Sequence, residues 1–235
     1  MTQQLFLEDC YLQTCTAEVL FVDGFFVELS ATVFYPMGGG QSHDTGTLTC
    51  QDQVYTVVDV LKQEGKLLHK IDHEGLRVGD YVVCQIDWSR RYRLMRMHTA
   101  SHLLLGILHA ATGALATGNQ LDLVNSRVDF DLENYDPSRL SDLIAQANAA
   151  ITSDSAVGIR EISRAQAEIF PSLAKLAKGL HPTVATIRVI TLGSYDEQAC
   201  GGTHLHSLSE IGTIVFVRAE NKGKGRRRIY FTLTP

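Results

Sequence analysis

The order of apolar and polar positions divides the chain into a strand-rich first part and a mixed second part. TAEVLFV and FFVELS flank Asp23-Gly24. That arrangement predicts a hairpin, because Asp-Gly supplies the positive φ angles of a tight type I′ turn. VYTVVDVL, KLLHKI and YVVCQID are further short β-branched runs separated by Gly-containing turns. Several short strands with no helix between them predict a small barrel or sandwich. The pattern changes at Trp88. Ser89 can cap a helix running to Gly113, with Leu94, Met97, Leu104, Leu105 and Leu108 as its apolar positions. Asp136-Pro137 is a cap followed by proline at the first helical position, and Leu140, Leu143, Ile144, Ala147 and Ile151 form the stripe of that second helix. Ser163 with Gln166 has the spacing of a capping box for a third. VATIRVITL, GTIVFVRAE and RRRIYFTL read as strands. The expected fold class is α+β: a small β-barrel-like domain over 1–88, then an α+β domain over 89–235.

Composition narrows the class without naming a function. The 235 residues are 45% hydrophobic and 20% charged, ordinary for a soluble globular protein. Five scattered cysteines, an odd number, argue against a disulfide framework. The start MTQQLFLEDC lacks a basic, apolar leader, and no apolar stretch approaches ~20 residues, so neither signal peptide nor membrane span is expected. A reducing cytoplasmic setting follows. The net charge of −5 does not announce a nucleic-acid binder. Two local clusters do offer phosphate contacts: Arg90, Arg91, Arg93 and Arg96, then Lys222, Lys224, Arg226, Arg227 and Arg228. Either cluster can equally be a solvated face.

The chemistry concentrates in two short segments. In MHTASHLLLG, His98 and His102 are four residues apart, so on a helix both imidazoles share one face with ~6 Å of rise between them. In QACGGTHLH, Cys200 and His204 repeat that spacing, and Gly201-Gly202 makes a turn the expected setting. Three imidazoles and one thiolate suit one tetrahedral zinc ion per chain. Either pair alone is often coincidence; their joint presence is what favours a metal site. No glutamate lies inside His-x-x-x-His, which removes the zincin protease pattern. His-x-Glu with Cys-x-x-Cys, the deaminase pattern, is also absent. His206, two residues past His204, is a candidate outer partner. His109 lies two turns beyond His102, and His43, His69, His73 and His181 have no partner at metal spacing. Gly38-Gly39-Gly40-Gln41 can bring backbone close to a ligand. It lacks the Lys-Ser/Thr of a phosphate loop, so nucleoside triphosphate is not an expected ligand.

RRYRLMRMHTASHLL, with ACGGTH downstream and GRRRI near the end, resembles the editing domain of alanyl-tRNA synthetase, and FYPMGGGQSHDTG at 34–46 resembles the Gly-rich segment that precedes it. The layout, without an aminoacylation domain, is similar to the stand-alone AlaX proteins of medium length. The metal motifs are shared with the threonyl-tRNA synthetase editing domain, while GGGQ and the Arg-rich lead-in favour the alanyl side. The resemblance implies a zinc-binding editing domain of the threonyl/alanyl-tRNA synthetase type that frees serine, or glycine, from tRNA(Ala). His98, His102, Cys200 and His204 become the metal ligands and Ser101 a pocket hydroxyl with a catalytic role. Gly38, Gly39, Gly40 and Gln41 become substrate contacts. Asn119 and Gln120, in TGNQLD, fall near the amino-acid-sensing position, with Thr117 open as the alternative. Thr99 and Thr203 are further hydroxyls beside the motifs. Two other readings stay open: editing of Ser-tRNA(Thr), and a zinc-stabilised RNA-binding module without catalysis. Monomer and dimer are both compatible with the sequence.

Overall fold

The computed structural model describes residues 2–132, 137–169, 186–223 and 225–234. Backbone contacts divide the chain into two compact units, Met1–Leu94 and Met95–Pro235. The first unit contains β1 (Gln3–Gln4), α1 (Leu5–Glu8), β2 (Thr14–Asp23), β3 (Phe26–Leu29), β4 (Ala31–Thr32), β5 (Gly46–Cys50), β6 (Gln53–Gln63), β7 (Lys66–Ile71) and β8 (Tyr81–Ile86). Six strands close into a barrel in the order β2-β3-β7-β6-β5-β8. Every rung is antiparallel. Closure leaves no strand edge, the alternative to a sandwich that the alternating pattern left open. In β8 the burial alternates residue by residue, placing Val82, Cys84 and Ile86 inside. Val19, Val27, Leu29, Leu48, Val57 and Val60 fill the same core. At Gly46 a Cβ would stand 2.1 Å from the Gln85 carbonyl oxygen, so the β5–β8 seam closes only over a residue without one.

The first hairpin forms, one residue out of the expected phase. Asp23 pairs with Phe26, which leaves Gly24-Phe25 as the loop instead of Asp23-Gly24. Gly24 has φ 55°, and Phe25 is not among the residues with positive φ, which fits a turn whose first central residue alone is left-handed. A turn with both central residues at positive φ lies between β6 and β7, at Glu64 (φ 52°) and Gly65 (φ 80°).

The barrel encloses an imidazole. His69 is fully buried; its Nδ1 lies 3.3 Å from the Val27 carbonyl oxygen and its Nε2 lies 2.8 Å from Thr32 Oγ1. The carbonyl can only accept, so Nδ1 carries the hydrogen and Thr32 donates to Nε2. Burial pushes the His69 pKa down to about 4, against a weaker upward pull from the Val27 carbonyl. Between pH 6.5 and 4 the unfolded chain therefore binds the extra proton. The stability this group contributes is complete above pH 6.5 and is lost as pH falls toward 4, a difference of about 3 kcal/mol at 1.36 kcal/mol per pH unit. Denaturant titration of wild type and His69→Gln at pH 7 and 4.5 should show the wild type losing more stability. Equal losses would refute the assignment.

The second unit carries most of α2 (Trp88–Thr112), then β9 (Ala116–Gln120), β10 (Ser126–Asp131), α3 (Pro137–Thr152), β11 (Val157–Ser163), α4 (Arg164–Ile169), β12 (Thr186–Leu192), β13 (Asp196–Ala199), a 3-10 turn at Leu208–Ile211, β14 (Thr213–Asn221) and β15 (Arg226–Thr234). The strands form two sheets, β14-β15-β10-β9 and β11-β12-β13. From Met97 to Leu108, α2 is buried on every face, so no polar stripe is visible there. Asp136, the expected cap of α3, lies outside the described residues, as does His181. The expected box opens α4: Ser163 Oγ accepts from the Gln166 N–H at 3.3 Å, and Gln166 Oε1 accepts from the Ser163 N–H at 2.9 Å. Asn148 of α3 completes the edge of β14, donating to the Ile214 carbonyl (2.9 Å) and accepting from its N–H (2.8 Å).

Candidate metal centre

The helix α2 carries His98 and His102, one turn apart. Cys200 directly follows β13, and an irregular segment brings His204 back beside it. The donor atoms of His98, His102, Cys200 and His204 all lie within 4.8 Å of one another and could hold a metal ion. Cys200 Sγ is 3.5 Å from His98 Nε2 and 3.4 Å from His204 Nε2. The three imidazole centroids are 4.4–5.1 Å apart. All three rings are buried.

Charge is already arranged for coordination. Burial opposes ionising Cys200, but the nearby His98 and His102 rings and hydrogen bonds from His102 and His204 carry its pKa well below the usual thiol range. The Gly202 N–H, 3.3 Å from Sγ, adds a further donor. His204 is held well below its ordinary value, first by burial and then by the charge of its two partner rings. His98 is lowered too, burial prevailing over the attraction of Cys200. His102 goes the other way: burial opposes its charge, yet the Cys200 thiolate and Asp196 raise it to about 9. The Cys200 thiolate and the neutral His98 and His204 rings are in the form that binds metal, whereas His102 must give up its proton to join them.

Neighbouring side chains hold the donors in place. Thr99 Oγ1 accepts from the Leu205 N–H at 3.2 Å and lies 3.2 Å from His204 Nδ1. Arg188 of β12 donates through Nη1 to the Cys200 and Gly202 carbonyls, at 3.0 and 2.8 Å, bracketing the Gly201 turn. Asp196 and Gln198, both buried, face His102 from β13. Arg188, Asp196 and Gln198 were not foreseen from the sequence. The signal for the last two was there: 196, 198 and 200 alternate, so an extended chain puts them on one face.

The other expected residues separate into groups. Ser101 is buried on α2 between the two histidine positions, and its hydroxyl donates to the His98 carbonyl at 2.8 Å. Asn119 pairs across the sheet with Val128, and Gln120 with Arg127. Cross-strand partners share a face, so Asn119 takes the side of buried Val128 while Gln120 points to the opposite one, accepting from Arg127 Nε at 3.2 Å. Thr203 is buried beside His204. His206 is exposed and outside the donor cluster, and His109 Nδ1 donates to the Ala114 carbonyl at the end of α2 (3.0 Å). In the barrel unit, Gly38 and Gln41 bond each other's backbones, and the Tyr35 hydroxyl donates to the Gly38 carbonyl (2.9 Å). Gln41 is buried.

The basic clusters are more occupied than their composition implied. Arg91, expected to meet phosphate, is fully buried: it pairs with Asp44 and donates to the Cys10 and Val33 carbonyls. Arg96 donates to the carbonyls of Ile211 (2.9 Å) and Thr234 (2.8 Å). Arg228 grips Asp129 with two bonds, at 2.6 and 2.8 Å. Of these three only Arg91 is fully buried; Arg96 and Arg228 keep part of their surface exposed. Arg90 bonds the His43 carbonyl (2.9 Å), and Arg227 bonds Asn221 (2.9 Å). Arg90, Arg93 and Arg227 remain partly exposed, and Lys222 and Arg226 are exposed. Lys224 lies outside the described residues.

The family model described as threonyl and alanyl tRNA synthetase second additional domain matches residues 187–230, and the one described as tRNA synthetases class II (A) matches residues 7–90. An alanyl-tRNA editing protein, AlaX-M, of Saccharolobus solfataricus is 40% identical over 238 residues, with 100% of both chains covered. The AlaX-M of Methanosarcina barkeri is 42% identical over 241 residues, with 99% of both covered. The alanine--tRNA ligase of Pyrobaculum calidifontis is 36% identical over 242 residues, which take in 100% of this chain and 27% of that enzyme.

Proposed function

The chain belongs to the AlaX-M family of alanyl-tRNA editing proteins, and from that premise we propose that it is a trans-editing deacylase that hydrolyses the aminoacyl ester of mischarged tRNA(Ala), chiefly the seryl form, with the glycyl form as a second substrate. The observation that carries this reading is the four-donor cluster, three buried histidines around Cys200, in a chain that matches editing proteins end to end. We assign the metal as zinc, one per chain. A tetrahedral zinc with Zn–N and Zn–S bonds of ~2.0–2.3 Å needs nitrogen-to-sulfur separations of roughly 3.5 Å, and those to His98 and His204 are 3.5 and 3.4 Å. With four protein ligands the ion would supply a fixed positive centre that orients the substrate's amino group or terminal adenosine.

The protein's own groups supply selection. Ser101 spends its hydrogen on the His98 carbonyl, which leaves its oxygen able to accept. A seryl hydroxyl donating there gains a bond that alanine cannot make, and a site that pairs a substrate hydroxyl disfavours the analogue lacking it. Glycine offers no such handle, so only exclusion by size distinguishes it from alanine. Asn119, Gln120, Thr117 and the Gly38–Gln41 loop complete our substrate-binding set. Arg90, Arg93, Arg96, Lys222, Lys224, Arg226, Arg227 and Arg228 form the tRNA contact set; Arg91, fully buried, acts behind it by holding the fold. We place the β-barrel-like domain at 1–88 and the editing domain, of threonyl/alanyl-tRNA synthetase type, at 89–235. The inferred setting is the cytoplasm; among the described residues no helix is long and apolar enough to cross a membrane.

Purified protein offered seryl-, glycyl- and alanyl-tRNA(Ala), and seryl-tRNA(Thr), should clear the first rapidly and spare alanyl-tRNA(Ala). Faster clearance of seryl-tRNA(Thr) would reassign the substrate. No clearance above buffer would leave a zinc-stabilised RNA-binding module.

A further inference from the structure

We infer that Asp196, braced by Gln198 and admitted by Gly106, is the positioning residue that fixes His102 for metal binding; this rests on the reading of the cluster as a metal site. His102 presents its Nδ1 to β13, where Asp196 Oδ2 is 3.3 Å away. The Gln198 amide nitrogen is 2.7 Å from the same Nδ1 and donates to Asp196 Oδ2 at 2.8 Å. Both side chains are 3% exposed, so neither is held there by solvent. A histidine that gives Nε2 to a metal carries its hydrogen on Nδ1 and needs an acceptor on that side. The Gln198 amide nitrogen is only a donor, so in the metal-free arrangement it donates to Nδ1; once Nδ1 carries the hydrogen, that N–H must turn away from it. The Asp196 carboxylate can accept, and Gln198 restrains it by bonding the same oxygen.

Close approach of helix and strand makes this contact possible. Gly106 stands one turn beyond His102 on α2. A Cβ at 106 would come within 2.4 Å of the Tyr195 carbonyl oxygen and 2.8 Å of Asp196 Cβ. Only a residue without a side chain lets β13 lie close enough for Asp196 to reach the ring. Alanine is the better helix former, so on helix stability alone the glycine is out of place; the approach of Asp196 accounts for it.

Zinc affinity, measured by competition with a chromophoric chelator, tests the assignment, with thermal melting of the metal-free protein beside it. Asp196→Asn preserves shape and removes the anionic acceptor. We expect its zinc affinity to fall roughly 10–100-fold with the metal-free melting temperature unchanged, and the visible bands of its cobalt-loaded form to move. Gly106→Ala, which leaves every polar group in place, should lose affinity in the same direction. Wild-type protein that takes up no zinc overturns the metal reading and this inference together. Wild-type protein that binds zinc while Asp196→Asn binds it equally overturns the inference alone. An affinity loss matched by an equal loss of metal-free stability also overturns it, since Asp196 would then serve only the fold.

Discussion

Cys200→Ala is expected to lose bound zinc and deacylation together. The sulfur is the contact shared by two of the rings, at 3.4 and 3.5 Å, and it brings the negative charge that makes three clustered imidazoles compatible with a cation. Without it, three buried rings with no anionic ligand would face the ion at close range. Outer groups that merely orient a ligand typically cost 10–100-fold in affinity or activity; loss of the one charged ligand should exceed that, taking deacylation of seryl-tRNA(Ala) down to the buffer rate. Metal content by elemental analysis and clearance of the charged tRNA are the two measurements. Metal loss with undiminished turnover would sink the proposal that the site serves the reaction. Turnover loss with metal retained would move Cys200 from ligand to a direct chemical role.

The four-donor cluster was legible because both pairs repeat one local spacing, and local spacing is what a sequence displays. The barrel was legible for the same reason: period-two alternation in YVVCQI maps directly onto the inside and outside of β8. What escaped was set by contacts between distant segments. Nothing near residue 91 says that Arg91 turns inward, because its partner Asp44 is 47 positions away. The strands β9, β10 and β11 were missed because their apolar positions are few: SRVDFD places only Val128 and Phe130 inside, beside Ser126. Nothing around Gly106 in the sequence announces the Tyr195 carbonyl that packs against it, 89 positions away.

The buried Arg91–Asp44 pair carries the largest expected effect on stability. Both side chains are wholly buried, and Arg91 Nε lies 3.1 and 3.0 Å from the two carboxylate oxygens. Nη1 donates to the Cys10 carbonyl, and Nη2 to the Val33 carbonyl and to Asp44, so each guanidinium nitrogen has an acceptor. The carboxylate also accepts from the Tyr35 N–H at 2.7 Å, and the Asp44 N–H donates back to the Tyr35 carbonyl at 3.0 Å. Truncating either partner leaves an unpaired buried charge, which costs about 3–5 kcal/mol, a large share of the roughly 5–15 kcal/mol that stabilises a typical domain. Arg91→Ala and Asp44→Ala should each lower the unfolding free energy by that amount in urea titrations, and the double variant should lose clearly less than the sum, because it strands no charge. Additive losses, or single losses below about 1 kcal/mol, would refute the pairing as the main tie. Arg91→Lys is the more telling variant for function. A lysine has one nitrogen where arginine uses three, so it cannot hold Asp44 and both carbonyls at once. Asp44 and Tyr35 anchor the Gly38–Gln41 loop, through the Tyr35 backbone bonds and the hydroxyl on the Gly38 carbonyl. With the loop as a substrate contact, Arg91→Lys should raise KM for seryl-tRNA(Ala) severalfold and leave kcat close to wild type. A fall in kcat at constant KM would place the consequences of this pair away from the loop.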